Sequence, residues 1–288
     1  MALPFALSVK YLGTTFRARE AGDRMIEVMY VLATMKVGGP EESVLTLCNT
    51  RTEEANASSV LVFNRKPTAS DASITGDFRQ AGVPIYIKQG VDVDSTSTIK
   101  ILRNADIVNI NCFEYGIYEG QIHDIVQRVG IPYLVTIREK ARLPDFGCSK
   151  ICVSKSVYDI QPDKANCEVI YNSVCFDKFN FKPKPRREKV VLTRICRPEK
   201  CAPHFWLIMD RILEDHPNVE LWIVGSNGPS THRVKYLGVR RDIPNILAQT
   251  DIFVYTPHPN KGAHDRVIIE AMAMGDTGQR IFMVTILF

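Results

Sequence analysis

No stretch of this chain approaches the eighteen or more consecutive apolar residues that a membrane-spanning helix needs. The opening MALPFALSVK is briefly apolar, but it has no basic leader, no full apolar region and no small-residue cleavage site, so it does not read as a secretory signal. Charge of one sign is not in excess either. The 36 Lys and Arg against 32 Asp and Glu leave a formal net charge of +4, which permits an anionic ligand without calling for nucleic acid. Tight Cys-x2-Cys pairs are missing too. Eight cysteines are spread through a long chain, unlike the dense framework of a small secreted domain, and they read as reduced structural thiols of a cytoplasmic protein. Cys148 and Cys152, spaced Cys-x3-Cys, with Cys167 and Cys175 further on, keep a zinc site open as the alternative.

What is present is globular. The chain is 45% hydrophobic and 24% charged, and 288 residues suffice for two domains of ordinary size. Short β-branched runs alternate with helical stretches. MIEVMYVLA (25–33), SSVLVFN (58–64), ADIVNINC (105–112) and IPYLVTI (131–137) read as strands. PEESVLTLCN (40–49) and EGQIHDIVQRVG (119–130) read as helices, the first with Pro40 and acids in its opening turn, the second closed by Gly130. SKICVSKSVYDI (149–160) reads as strand, turn and helix, with Ser154 as N-cap. FKPKPRREK (181–189) is Pro-rich and basic and reads as a linker, with a polyanion or lipid-surface patch as the other reading of its charges. The alternation then restarts with VVLTRI (190–195), a helix in 202–217, VELWIVG (219–225), RVKYLG (233–238), a helix in 242–251 and IFVYTP (252–257). The expected class is α/β: two Rossmann-like parallel-sheet domains, 1–180 and 190–288, facing a cleft across the linker 181–189.

Parallel sheets bind ligands outside the carboxyl ends of their strands, and three clusters stand there. KVGGPEE (36–42) precedes a helix. Gly38 and Gly39 allow close backbone approach and the helix N-terminus attracts negative charge, although an ordinary strand-to-helix turn fits equally well. TRICRPEK (193–200) puts Arg194 and Lys200 at one strand mouth, which suits a diphosphate, or a solvated loop with Glu199 partnering a base. NKGAHDRVIIEAMAMG (260–275) reads as a helix apolar all round and therefore buried. Its Glu270 is then either paired with Arg266 or Arg194, or placed to accept ribose hydroxyls. Gly225 in VGSNGP (224–229) offers a further open loop to a base or sugar edge.

VGGPEESVLTL, VIYNSVCFDKF, RICRPEK, VELWIVGSNGP, VKYLGVRRDIPNILAQTDIFVYT and VIIEAMAMG, in that order, resemble the retaining glycosyltransferases of GT-B fold, family GT4 (glycosyl transferases group 1), from about Met25 onward. The resemblance implies transfer of a sugar from a nucleotide-sugar donor, without a metal or cofactor, to a glycan, lipid or small-molecule acceptor docked on the N-terminal domain. It places Arg194 and Lys200 on the diphosphate, Glu270 on the ribose as second glutamate of an E-x7-E pattern, and Gly39 near the phosphates. Departures are specific. Gly262 stands where the first glutamate belongs, with Lys261, His264 and Asp265 nearby. Arg138 and Glu139 stand where a histidine should follow IPYLVTI, so Arg138, Glu139, His264 and Asp265 become the sugar-side candidates. RIFMVTILF (280–288) should add a strand beside IFVYTP. The closing helices of the family are absent after it, which leads to an expectation of an incomplete C-terminal domain that self-associates. Two other readings stay open: a weakened homologue that binds a nucleotide or a partner, and a nucleotide-sugar epimerase of the same fold.

Overall fold

The computed structural model describes residues 26–50, 55–63, 73–88, 96–112, 117–180, 188–256, 258, 265–275 and 282–285. The first half runs β1 (Ile26–Leu32), α1 (Gly39–Asn49), β2 (Ala55–Phe63), α2 (Thr75–Gln80), β3 (Ile85–Lys88), α3 (Thr96–Leu102), β4 (Ile107–Cys112), α4 (Ile117–Val129), β5 (Tyr133–Ile137), β6 (Ser149–Cys152), α5 (Lys155–Asp159) and β7 (Cys167–Val169). Its strands pair in parallel in the order β3-β2-β1-β4-β5-β6-β7. The second half runs β8 (Val190–Ile195), a 3-10 turn (Pro198–Lys200), α6 (Phe205–Asp215), β9 (Val219–Val224), β10 (Val234–Gly238), α7 (Ile243–Leu247), β11 (Ile252–Tyr255), α8 (Arg266–Ala273) and β12 (Phe282–Thr285). It forms a second all-parallel sheet, β10-β9-β8-β11-β12. The expected linker 181–189 lies outside the described residues apart from its last two positions.

Strand periodicity explains the layers. Met29 and Val31 of β1 pack on one face with Ile122 and Val126 of α4, while Tyr30 and Leu32 pack on the other with Val44 of α1 and Phe78 of α2. The second sheet repeats this: Leu192 and Leu221 meet Phe205 and Met209 of α6, and Phe253 meets Leu247 and Ala271 on the other side. Each fully buried side chain of this size contributes about 1.5–3 kcal/mol. Phe179, just before the linker, is buried at 3% exposure in the core of the second sheet. The two halves also share a device at the centre of each sheet. Asp106 accepts from the Glu27 amide at 2.9 Å, and Asp251 from the Val191 amide at 2.8 Å, each aspartate tying the start of a switch strand to the first strand of its sheet.

Several local readings hold. Ser154 is extended and its side chain accepts from the Val157 amide at 3.3 Å. Gly130 closes α4 with φ of 71°, a region that favours glycine, and Gly82 does the same after α2 with φ of 72°. The strand β12 pairs with β11 from Ile252 opposite Phe282. One reading is corrected. The helix α8 is not buried all round, because Met272 is 59% exposed; only one side meets the core, through Ala271 and Met274.

Candidate functional site

Strand order reverses between β1 and β4 in the first sheet and between β8 and β11 in the second. Side chains at the carboxyl ends flanking such a reversal line a natural crevice. In the second sheet that crevice is a pocket of about 210 Å³ lined by Arg194, Ile195, Cys196, Lys200, Val254, Tyr255, Thr256 and Asp265. Arg194 follows Leu192 on the α6 side of β8, so its guanidinium lies over the Phe205 ring, 4.8 Å from the centroid. Its Nη2 donates to Cys196 Sγ. Arg194 is 4% exposed, yet its Nε has no hydrogen-bond partner among the described residues, and neither has the buried Thr256 Oγ1 in the same pocket. Each unsatisfied buried polar atom costs about 1–3 kcal/mol.

Glu199 does partner a base, Arg197, at 3.4 Å on the surface, but Lys200 is mostly buried and turned away from it. Its Nζ lies 3.2 Å from Asp265 Oδ1 and 3.8 Å from Glu139 Oε1 in the first half of the chain. Asp265 occupies the N-cap position of α8 without capping it. Its second oxygen accepts from Tyr255 Oη at 3.0 Å. Burial, reinforced by Asp265, holds the Tyr255 phenol well above its ordinary range, so it is a donor at any physiological pH. Arg194 and Lys200 thus converge on one pocket, Asp265 beside them.

Glu270 has a partner. Arg266 Nε lies 3.3 Å from its Oε1, four residues back on the same helix. Burial raises the Glu270 pKa and Arg266 is the main opposing influence. The same guanidinium reaches α1, with Nη1 3.2 Å from Ser43 Oγ and 3.5 Å from Thr46 Oγ1. Arg266 therefore links the Glu270 helix to the helix that follows the glycine turn.

In that turn the two glycines differ. Gly38 is extended, with φ of −163°. A Cβ there would meet Glu41 Oε2 at 2.7 Å. At Gly39 a Cβ would meet no protein atom within 4 Å, so packing does not demand that glycine. Glu41 is 3% exposed and accepts from Thr34 Oγ1 at 2.5 Å. Burial raises its pKa, opposed by Thr34, Arg197 and Arg138. Sequence reasoning placed Glu41 only as a first-turn acid and missed its burial. Arg138, at the end of β5, donates from Nε to Asn111 Oδ1 at 2.8 Å and from Nη1 to Asn172 Oδ1 at 3.0 Å.

Gly225 has a reason inside the protein. Its φ is +92°, and a Cβ would lie 2.7 Å from the Cys196 carbonyl oxygen. The loop after β9 thereby presses on the turn that carries Arg194 and Lys200. His264, like Lys261 and Gly262, lies outside the described residues. Seven cysteines, Cys148, Cys152, Cys167 and Cys175 among them, are free thiols. Among the described residues no group of three or more His, Cys, Asp or Glu could hold a metal, and no helix is long and apolar enough to cross a membrane. The sequence does contain one Asp-x-Asp, Asp92-Val93-Asp94, between β3 and α3. It also lies outside the described residues.

No protein-family model matches the chain, and no curated protein matches it in sequence. Solved structures do. TarM is similar with a TM-score of 0.62 at 10% identity, over 91% of this chain and 89% of that one. A mutant O-GlcNAc transferase of Thermobaculum terrenum is similar with a TM-score of 0.56 at 13% identity, over 91% of this chain and 53% of that one. The UDP-GlcNAc 2-epimerase of Neisseria meningitidis bound to UDP-GlcNAc is similar with a TM-score of 0.53 at 11% identity, over 80% and 77%. The fold is GT-B. In this GT-B chain the glycine turn after β1 and the Arg194–Lys200 turn after β8 sit at the switch points of the two sheets. Contacts of Glu139 with Lys200 and of Ser43 with Arg266 bring those two ends together.

Proposed function

We propose that this chain binds a nucleotide-sugar donor in its cleft and transfers the sugar, with retention, as the GT4-like order of its motifs suggests. The observation that carries the reading is the pair of orphaned polar atoms, Arg194 Nε and Thr256 Oγ1, in one pocket with Lys200 at a topological switch point. A diphosphate would satisfy both and draw Lys200 from Asp265. Glu270 would take the ribose through Oε2, since Arg266 engages Oε1. Gly38 and Gly39 would let α1 present its N-terminal amides to the phosphates, as Gly225 shapes the loop opposite. Arg138, Glu139, Asp265 and His264 would face the sugar. Fixed cations and the helix N-terminus would then stabilise the leaving diphosphate without a metal. Residues 190–288 would hold the donor and residues 1–180 the acceptor, with the cytoplasm as the site of action.

A second reading, a nucleotide-sugar epimerase, is favoured by Glu41. A buried carboxyl with a raised pKa is an acid/base group of the kind that epimerisation requires, and it lies on the opposite wall of the cleft. Incubation with UDP-, GDP- and ADP-sugars, with and without acceptor sugars, separates the cases. Release of nucleoside diphosphate with a glycosylated acceptor supports transfer. An epimerised nucleotide sugar supports the second reading. Tight binding without turnover marks a nucleotide-binding homologue, and no binding at all refutes all three.

A further inference from the structure

Among the described residues Arg138 forms no ion pair. Its hydrogen-bond partners, the side-chain oxygens of Asn111 and Asn172, are neutral amides. Among the described residues no carboxylate lies within the 4.0 Å of an ion pair, and Nη2 makes no hydrogen bond. Burial, and then Arg266 from the other half of the chain, lower its pKa to about 10, which leaves it charged at neutral pH. Glu41 acts on it from a distance only, and burial pushes Glu41 itself toward its neutral form. Arg266 is balanced by Glu270 at 3.3 Å, whereas the half-buried Arg138 is met by neutral amides only, and a charge withdrawn from water without an opposite partner costs stability. The position gives that cost a use. Glu139, the next residue, reaches Lys200 at 3.8 Å, and Arg266 of the second half acts on Arg138 itself, so Arg138 lies where the two halves meet.

We propose that Arg138 binds an oxyanion of the ligand that enters this cleft, through Nη2 and the outer edge of its guanidinium. The inference rests on the nucleotide-sugar reading and sharpens it. Such a ligand offers oxyanions from two sources: the diphosphate itself, and a carboxylate on the sugar, as in a uronic acid. A planar fork suits either.

The test is calorimetric titration of the wild type, Arg138→Gln and Arg138→Lys with UDP, UDP-glucose and UDP-glucuronate, with the melting temperature of each variant as a check on folding. Loss of a charge-assisted contact weakens binding roughly tenfold or more. If Arg138→Gln loses that much for all three ligands, the oxyanion is the diphosphate. If it loses it for UDP-glucuronate alone, the oxyanion is the sugar carboxylate. Unchanged affinity for all three in a variant that melts like the wild type overturns the inference and leaves the donor reading standing. Should the Gln variant not fold, Arg138→Lys carries the test, since it keeps the charge and loses the fork: weakened binding supports the proposal and unchanged binding overturns it. A wild type that binds none of UDP, GDP and ADP overturns the donor reading and this inference together.

Discussion

At Glu41 a carboxyl sits beneath Gly38, 3% exposed, with one hydroxyl donor. Burial raises its pKa in the folded state above that of the unfolded chain, so the folded form binds the extra proton. Glu41 therefore favours the fold below its unfolded pKa, and that contribution is lost as pH rises through the folded pKa. Glu41→Gln keeps an acceptor for Thr34 and removes the titration. Denaturant titrations from about pH 4 to about pH 8 should show the wild type losing stability relative to the variant as pH rises. Parallel curves would refute the account. At Arg194, Arg194→Ala should weaken nucleoside diphosphate binding by roughly 1.5–3 kcal/mol, the usual worth of a hydrogen bond to a charged group. Arg194, Lys200 and Glu270 were legible as candidates because strand ends and helix periodicity locate them. Glu41 and Arg266 were not legible in their roles. Whether a first-turn acid is exposed, and whether Arg266 reaches Ser43 as well as Glu270, depends on how two distant helices meet.

Among the elements, the alternation of strand and helix was readable because parallel strands buried on both faces are continuous apolar runs bounded by Gly and Pro. The strand β7 was not readable. Its three residues, Cys167–Val169, earn their place by pairing with β6 and carry no pattern of their own. Gly225 was read as an opening for a ligand, and the structure adds a demand from within: a positive φ and a carbonyl at contact distance. Gly225→Ala should cost about 1–3 kcal/mol of strain. At roughly 2–4 °C per kcal/mol for a domain of 150–250 residues, that lowers the melting temperature by several degrees. Gly39→Ala, with open space around its Cβ, should melt like the wild type. Equal melting of both variants would show that the loop after β9 yields freely.

Across the molecule the two halves are joined by polar contacts: Arg266 to Ser43 at 3.2 Å, Lys200 to Glu139 at 3.8 Å, and Arg241 to Asp77. The solvent-facing ion pair Arg241–Asp77 contributes at most about 1 kcal/mol, whereas the Arg266–Ser43 contact is buried. On the proposed reading, a nucleotide sugar would enter the pocket of Arg194 and Lys200 from the cleft between the halves. Arg266→Ala, which removes the buried link, should raise the radius of gyration seen by solution X-ray scattering. An unchanged profile would assign the closure to other contacts. The central claim, a metal-independent nucleotide-sugar site built on Arg194, Thr256 and Lys200, is tested most directly by calorimetric titration of the wild type and Arg194→Ala with UDP, GDP and ADP in the presence of a chelator. The account predicts saturable binding of at least one diphosphate that survives chelation and weakens at least tenfold in the variant. Binding that appears only after manganese or magnesium is added, or that is the same in both proteins, would contradict it.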